Sequence, residues 1–106
     1  MWVVNGANLR MSENDYGIAL PVTVSGTTLG AQDSLRYTFK DAVNMNTILV
    51  KEFSNIVQNT VSFELTEAES ALFAPGKYVY SLDWYQSGSF MCCLVEAAIF
   101  TVGDKA

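Results

Sequence analysis

The stretch that most narrows the folds open to this chain is Pro75-Gly76-Lys77-Tyr78-Val79-Tyr80-Ser81-Leu82-Asp83-Trp84. Its Pro-Gly pair marks a turn, and an unbroken alternation follows. Tyr78, Tyr80, Leu82 and Trp84 fall on one side, Lys77, Val79, Ser81 and Asp83 on the other. That period of two belongs to a strand with one buried face. Just upstream, Leu65 ends another apolar alternation, and Thr66 with Glu69 three residues later has the spacing of a capping box, which predicts about one turn of helix before Phe73. The segment reads strand, helical turn, tight turn, strand.

That order is the corner between strands E and F of an immunoglobulin-like sandwich, where a tyrosine near the start of strand F bonds its hydroxyl back to the corner backbone. Tyr78 holds that place, and Tyr80 stands where antibody domains carry cysteine. Other alternations supply the remaining strands. Strand A is expected over Ala7–Met11, B over Ile18–Ser25, C over Leu35–Lys40, D over Thr47–Phe53, E over Val61–Leu65 and G over Phe90–Val102. Pro21 cannot donate to a ladder, so it belongs at a bulge or on an unpaired side. Strand G exceeds the usual five or so residues, which predicts a break or bulge near Glu96. The expectation is therefore an all-β chain: one immunoglobulin-like β-sandwich domain over residues 1–106, of about seven strands, with a short helical turn at the E–F corner.

A chain of 106 residues is long enough for a full core, burying roughly 65% of its unfolded surface. The net charge is −5, and its six basic residues, Arg10, Arg36, Lys40, Lys51, Lys77 and Lys105, are scattered singly. Phosphate recognition needs clustered cations, so neither nucleic acid nor an anionic membrane is an expected partner. No apolar run approaches the roughly 18 residues of a membrane span, and Met1–Asn5 lacks the basic start of a signal peptide. A cytoplasmic product is expected. Cys92 and Cys93 are neighbours, so in a strand they point to opposite faces, and free thiols are expected.

Histidine is absent, which removes Ser-His and Cys-His nucleophile pairs and histidine metal centres. Two thiols cannot complete a four-ligand zinc site. Glu13-Asn14-Asp15 could offer oxygens to a cation, yet lacks the spacing and glycine of a calcium loop; a solvated loop is the simpler reading. Glu64, Glu67 and Glu69 fit the polar side of a strand and the first turn of a helix, where negative charge suits the dipole. No catalytic, cofactor-binding or metal residue is assigned, and a non-enzymatic protein is expected. The aromatics leave two readings open. Tyr80, Trp84 and Tyr85 could form a sugar-stacking platform, or Tyr80 and Trp84 could be core with Tyr85 outside it. Trp2 and Tyr85 fall outside the predicted core and are candidate interaction residues.

Four stretches in this order, Asn14-Asp15 before a strand, Leu35–Asp41, Val61–Thr66 and Phe73–Leu82, resemble the immunoglobulin-like domains of tailed-phage and prophage structural proteins. The likeness is to the N-terminal domain of upper baseplate proteins. It spans roughly residues 14 to 102, with Asn14 where the family has glycine and Ser81 where it has aspartate. The resemblance implies a tail or baseplate component of a virion, made in the bacterial cytoplasm, that binds other phage structural proteins and possibly itself. It carries over no catalytic residue and no cofactor. The alternative is a carbohydrate-binding or adhesion module using Trp84 and Tyr85.

Overall fold

The computed structural model describes residues 3–5, 8–12, 15–17, 19–54 and 56–103, with residues 3–5 described by their backbone. Asp33–Asp41 (β4) alternates most strictly, with Leu35, Tyr37 and Phe39 buried and Arg36, Thr38 and Lys40 turned away. It is an inner strand of a six-stranded sheet. The order across that sheet is β1 (Val3–Asn5), β2 (Asn8–Ser12), β8 (Ser89–Gly103), β7 (Gly76–Gln86), β4 and β5 (Thr47–Phe53). Neighbours are antiparallel except β2 and β8, which run parallel. Leu20–Thr23 (β3) and Thr60–Phe63 (β6) form the second sheet. The chain is an all-β sandwich.

Its core gathers on Phe39, which has no solvent exposure. The Phe39 ring centroid lies 5.8 Å from Phe63 of the second sheet, 5.5 Å from Phe73, 5.6 Å from Tyr80 and 5.2 Å from Phe100. A buried phenylalanine stabilises by roughly 1.5–3 kcal/mol through area alone, and edge-on ring pairs add about 0.5–1.5 kcal/mol each. Leu9, Met11, Leu82 and Val102 extend the same layer along the large sheet.

The E–F corner takes the form its residues imply. Thr66 caps a single helical turn, Glu67–Ser70 (α1), with both bonds of the capping box made: the Glu69 amide donates to the Thr66 hydroxyl at 3.2 Å, and the Thr66 amide to the Glu69 carboxylate at 2.9 Å. The Tyr78 hydroxyl then donates to the Ala74 carbonyl at 2.6 Å. Tyr78 is the third residue of β7, which the chain enters at Gly76.

One feature differs from the expected strand layout, and two follow it in detail. The segment assigned to strand D, β5, pairs with β4 and not with β6. Only residues 42–46 join β4 to β5, and so short a connection returns the chain alongside the strand it leaves. Asp41 tightens that return by accepting from the Val43 amide at 2.7 Å. Pro21 sits in an unbroken ladder with β6, and it is tolerated because β3 has one strand neighbour among the described residues. The bulge expected in strand G near Glu96 is present, as the first of three. β7 keeps one register against β4 from Asp33–Gln86 to Asp41–Tyr78, so the irregularity falls on β8. There one extra residue enters between Ala98 and Val95, another between Val95 and Cys93, and a third between Cys92 and Phe90. Ala97, in the first bulge, has φ +43°.

Candidate interaction surface

Alternation on β5, β4, β7 and β8 gives the large sheet an outer face that the second sheet leaves uncovered. Register places its side chains in rows. At the β7–β8 hairpin end, Ser34, Tyr85 and Phe90 lie side by side, and the next row runs Glu52, Arg36, Asp83, Cys93. The middle row is Val50, Thr38 and Ser81, and beyond it come Lys40, Val79 and Ile99. Lys77, Thr101 and Arg10 form the last row.

Tyr85 points out of this face, half-buried by its neighbours. The Arg36 guanidinium lies 4.0 Å from the ring centroid, and Phe90 packs edge-on at 5.7 Å. Arg36 is held there by two bonds to the Glu52 carboxylate, at 2.9 and 3.1 Å, and that hydrogen bond raises its pKa further. Phe90 is 57% exposed and so presents more ring to solvent than Tyr85 does. A shallow groove of about 110 Å³ opens in the middle of the face, lined by Thr38, Lys40, Met45, Val79, Ser81 and Ala97. The bulge at Ala97 forms one wall.

The three aromatics that could have made a sugar platform are not brought together. Tyr80 is buried in the core, and Trp84 turns to the same side, where its indole donates to Asp33 at 2.8 Å. Tyr85 faces the opposite way. Asp33 is buried and also accepts from the Gly30 amide at 2.6 Å; these two bonds hold its pKa below the ordinary carboxylate value. Trp2, Glu13 and Asn14 lie outside the described residues. Asp15 accepts from the Ser12 amide at 3.3 Å, as loop side chains commonly do.

Two carboxylates of the E–F corner, Glu67 and Glu69, are engaged. Glu67 accepts from the Tyr16 hydroxyl, which raises the Tyr16 pKa. Glu69 meets Lys51 of β5, whose ammonium also donates to the Glu64 carbonyl at 2.6 Å. Asn59, which carried no signal in the sequence, organises the other end of the sandwich. With φ +59°, it donates to the Val24 and Thr27 carbonyls at 3.0 and 2.5 Å and accepts from the Leu29 amide at 2.9 Å. Cys92 and Cys93 are free thiols opposite Trp84 and Asp83, hence on opposite faces. Compared with known protein families, curated proteins and solved structures, the chain matches none.

Proposed function

We propose that this chain is a non-enzymatic structural or adaptor protein of a phage or prophage particle, acting in the tail or baseplate through protein-protein contacts. The observation that carries the reading is the uncovered outer face of the large sheet. Arginine and aromatic side chains are the residues that dominate protein interfaces, and here Arg36, Tyr85 and Phe90 are held against one another beside exposed Met91. Such pre-packing lowers the ordering cost of binding, because the rotamers are already restricted. The resemblance of residues 14 to 102 to phage structural domains supports a particle as the destination, with other structural proteins as partners and the virion as the location.

The test is assembly in a host carrying the particle's other components, with Tyr85→Ala, Phe90→Ala and Trp2→Ala each replacing the wild-type chain. Defective particles with normally folded variants are expected. Normal particles from all three variants would overturn the reading. A glycan array separates the carbohydrate alternative: saturable binding to one sugar that disappears in Tyr85→Ala would favour it instead.

A further inference from the structure

We infer that the open strand edges of this sandwich are closed to strand addition, so that partners are held through side chains and not through a shared main-chain ladder. An edge strand presents a row of free N–H and C=O groups that pairs with other extended chains unless shortness, proline, bulges or an inward-pointing charge prevents it. Among the described residues, each open edge carries one of these devices. β1 ends one side of the large sheet and is three residues long. β5 ends the other side, and its ladder to β4 takes in an extra residue, Ile48, between Thr47 and Leu49. Lys51 of the same strand, opposite buried Tyr37, turns its charge inward, with a side chain only 17% exposed. In the second sheet, β3 carries Pro21, whose nitrogen belongs on the solvent side of an edge strand and has no hydrogen to donate there. Beyond the end of β6, the Glu64 carbonyl already accepts from the Lys51 ammonium at 2.6 Å.

The strongest sign lies in β8. β2 covers that strand only from Phe100 to Gly103, which leaves β7 as the one strand neighbour of residues 89–99. All three bulges fall in this uncovered run, whereas the ladder from Ala98 to Val102, which includes the covered part, is regular. Where the cover ends, the Ile99 amide donates to the Asn8 side chain at 2.9 Å, so that donor is taken as well. A bulge breaks the even spacing of the ladder groups and sharpens the local twist, and an added strand then finds no continuous row to pair with. Irregularity is thus concentrated where main-chain groups lie open.

Main-chain pairing supplies affinity, and side-chain contacts supply the choice of partner. With the edges closed, the grip falls to side chains such as Arg36, Tyr85 and Phe90. The use of this device in a particle rests on the assembly reading, but its test needs only the purified chain.

Amide hydrogen exchange read by NMR at about 20 μM and about 1 mM chain tests it, because strand addition would protect edge amides in a concentration-dependent way. In the wild type, exchange along β3, β5 and residues 89–98 is expected to be the same at both concentrations. Pro21→Thr restores a donor on a β-forming residue; protection along β3 should then rise with concentration, and sedimentation velocity should show self-association at least about tenfold tighter than wild type. Pro21→Lys restores the same donor but sets a charge on the edge, and should behave as wild type. Lys51→Ile with Glu69→Gln removes the inward charge and should open β5 in the same manner. Unchanged protection of β4 and β7 shows that a variant is folded, and if one variant is not, the other edge decides. Association at either opened edge supports the inference. Wild-type edge amides whose protection grows with concentration overturn it, as do opened edges that never associate, or Pro21→Lys associating as tightly as Pro21→Thr. Particle assembly with Tyr85→Ala and Phe90→Ala judges the assembly reading separately, so the two can fail independently.

Discussion

The Lys51 ammonium and the Glu69 carboxylate meet 2.5 Å apart, joining β5 of the large sheet to the corner that follows β6. No hydrogen-bonded ladder links those two strands, so this pair fastens one open side of the sandwich. Burial raises the Glu69 pKa, but the bonds from Lys51 and from Thr66 outweigh it and leave the value lowered. Both side chains are less than one quarter exposed, which places the pair between surface bridges of about 0–1 kcal/mol and buried ones whose breakage costs about 3–5 kcal/mol. Lys51→Met is expected to cost about 1–2 kcal/mol at neutral pH. Because the folded pKa is depressed, the contribution is present above the ordinary glutamate value of about 4.3 and is lost as pH falls through the lowered one. Urea midpoints for wild type and Glu69→Gln should therefore converge in acid.

Tyr78→Phe should destabilise by about 1 kcal/mol, since the change removes one hydrogen bond and strands the Ala74 carbonyl beside a ring that is 7% exposed. For a domain of this size that is a fall in Tm of about 4–8 °C. An unchanged Tm would show that the hydroxyl does not hold the corner.

Asn59→Ala should cost about 2–4 kcal/mol, combining three lost bonds with a left-handed backbone that alanine adopts reluctantly. Asn59→Gly loses the same bonds but accepts the backbone. Comparing the two by chemical denaturation isolates the backbone share, and alanine should be the worse by about 1 kcal/mol.

These three sites differ in how far they could be read from residue order. The β4 and β7 alternations, the Thr66–Glu69 capping box and the place of Tyr78 depend on residues within a few positions of one another, so local spacing determines them. The pairing of β5 with β4 is legible too, in the short loop 42–46 that joins them. Other features depend on contacts far apart in the chain. Arg36 lies over Tyr85, Asn59 reaches three atoms of the loop after β3, and the bulges of β8 accommodate a register imposed by β7. No local pattern encodes such pairings. Trp84 and Tyr85 show the limit most plainly: adjacency suggested a shared platform, and strand geometry puts them on opposite faces.

Cys93 should react slowly with iodoacetamide at pH 8, about as slowly as its raised pKa requires. Burial is the largest cause of that shift, followed by a hydrogen bond with Asp83 and the charges of Asp83 and Glu96. Asp83→Asn with Glu96→Gln removes the charges and leaves burial nearly unchanged. Peptide mass mapping of the alkylated protein should find Cys93 modified faster in the double variant. Equal rates would mean that accessibility alone protects the thiol.

The bulge at Ala97 opposes two backbone terms of similar size, and their balance gives the last prediction. A non-glycine residue at positive φ costs about 1–2 kcal/mol, while glycine costs about 0.5–1 kcal/mol in chain entropy. The Ala97 methyl group is exposed, so replacing it loses little packing. Strain relief should win, and Ala97→Gly should stabilise the fold by about 0.5 kcal/mol. Ala97→Val should destabilise, because a β-branched side chain tolerates positive φ least. Denaturation midpoints for the three residues at position 97 should therefore rank glycine, alanine, valine. The reverse order would mean that the strand does not carry its first bulge at Ala97, and that the groove beside Thr38 and Ser81 has a different wall.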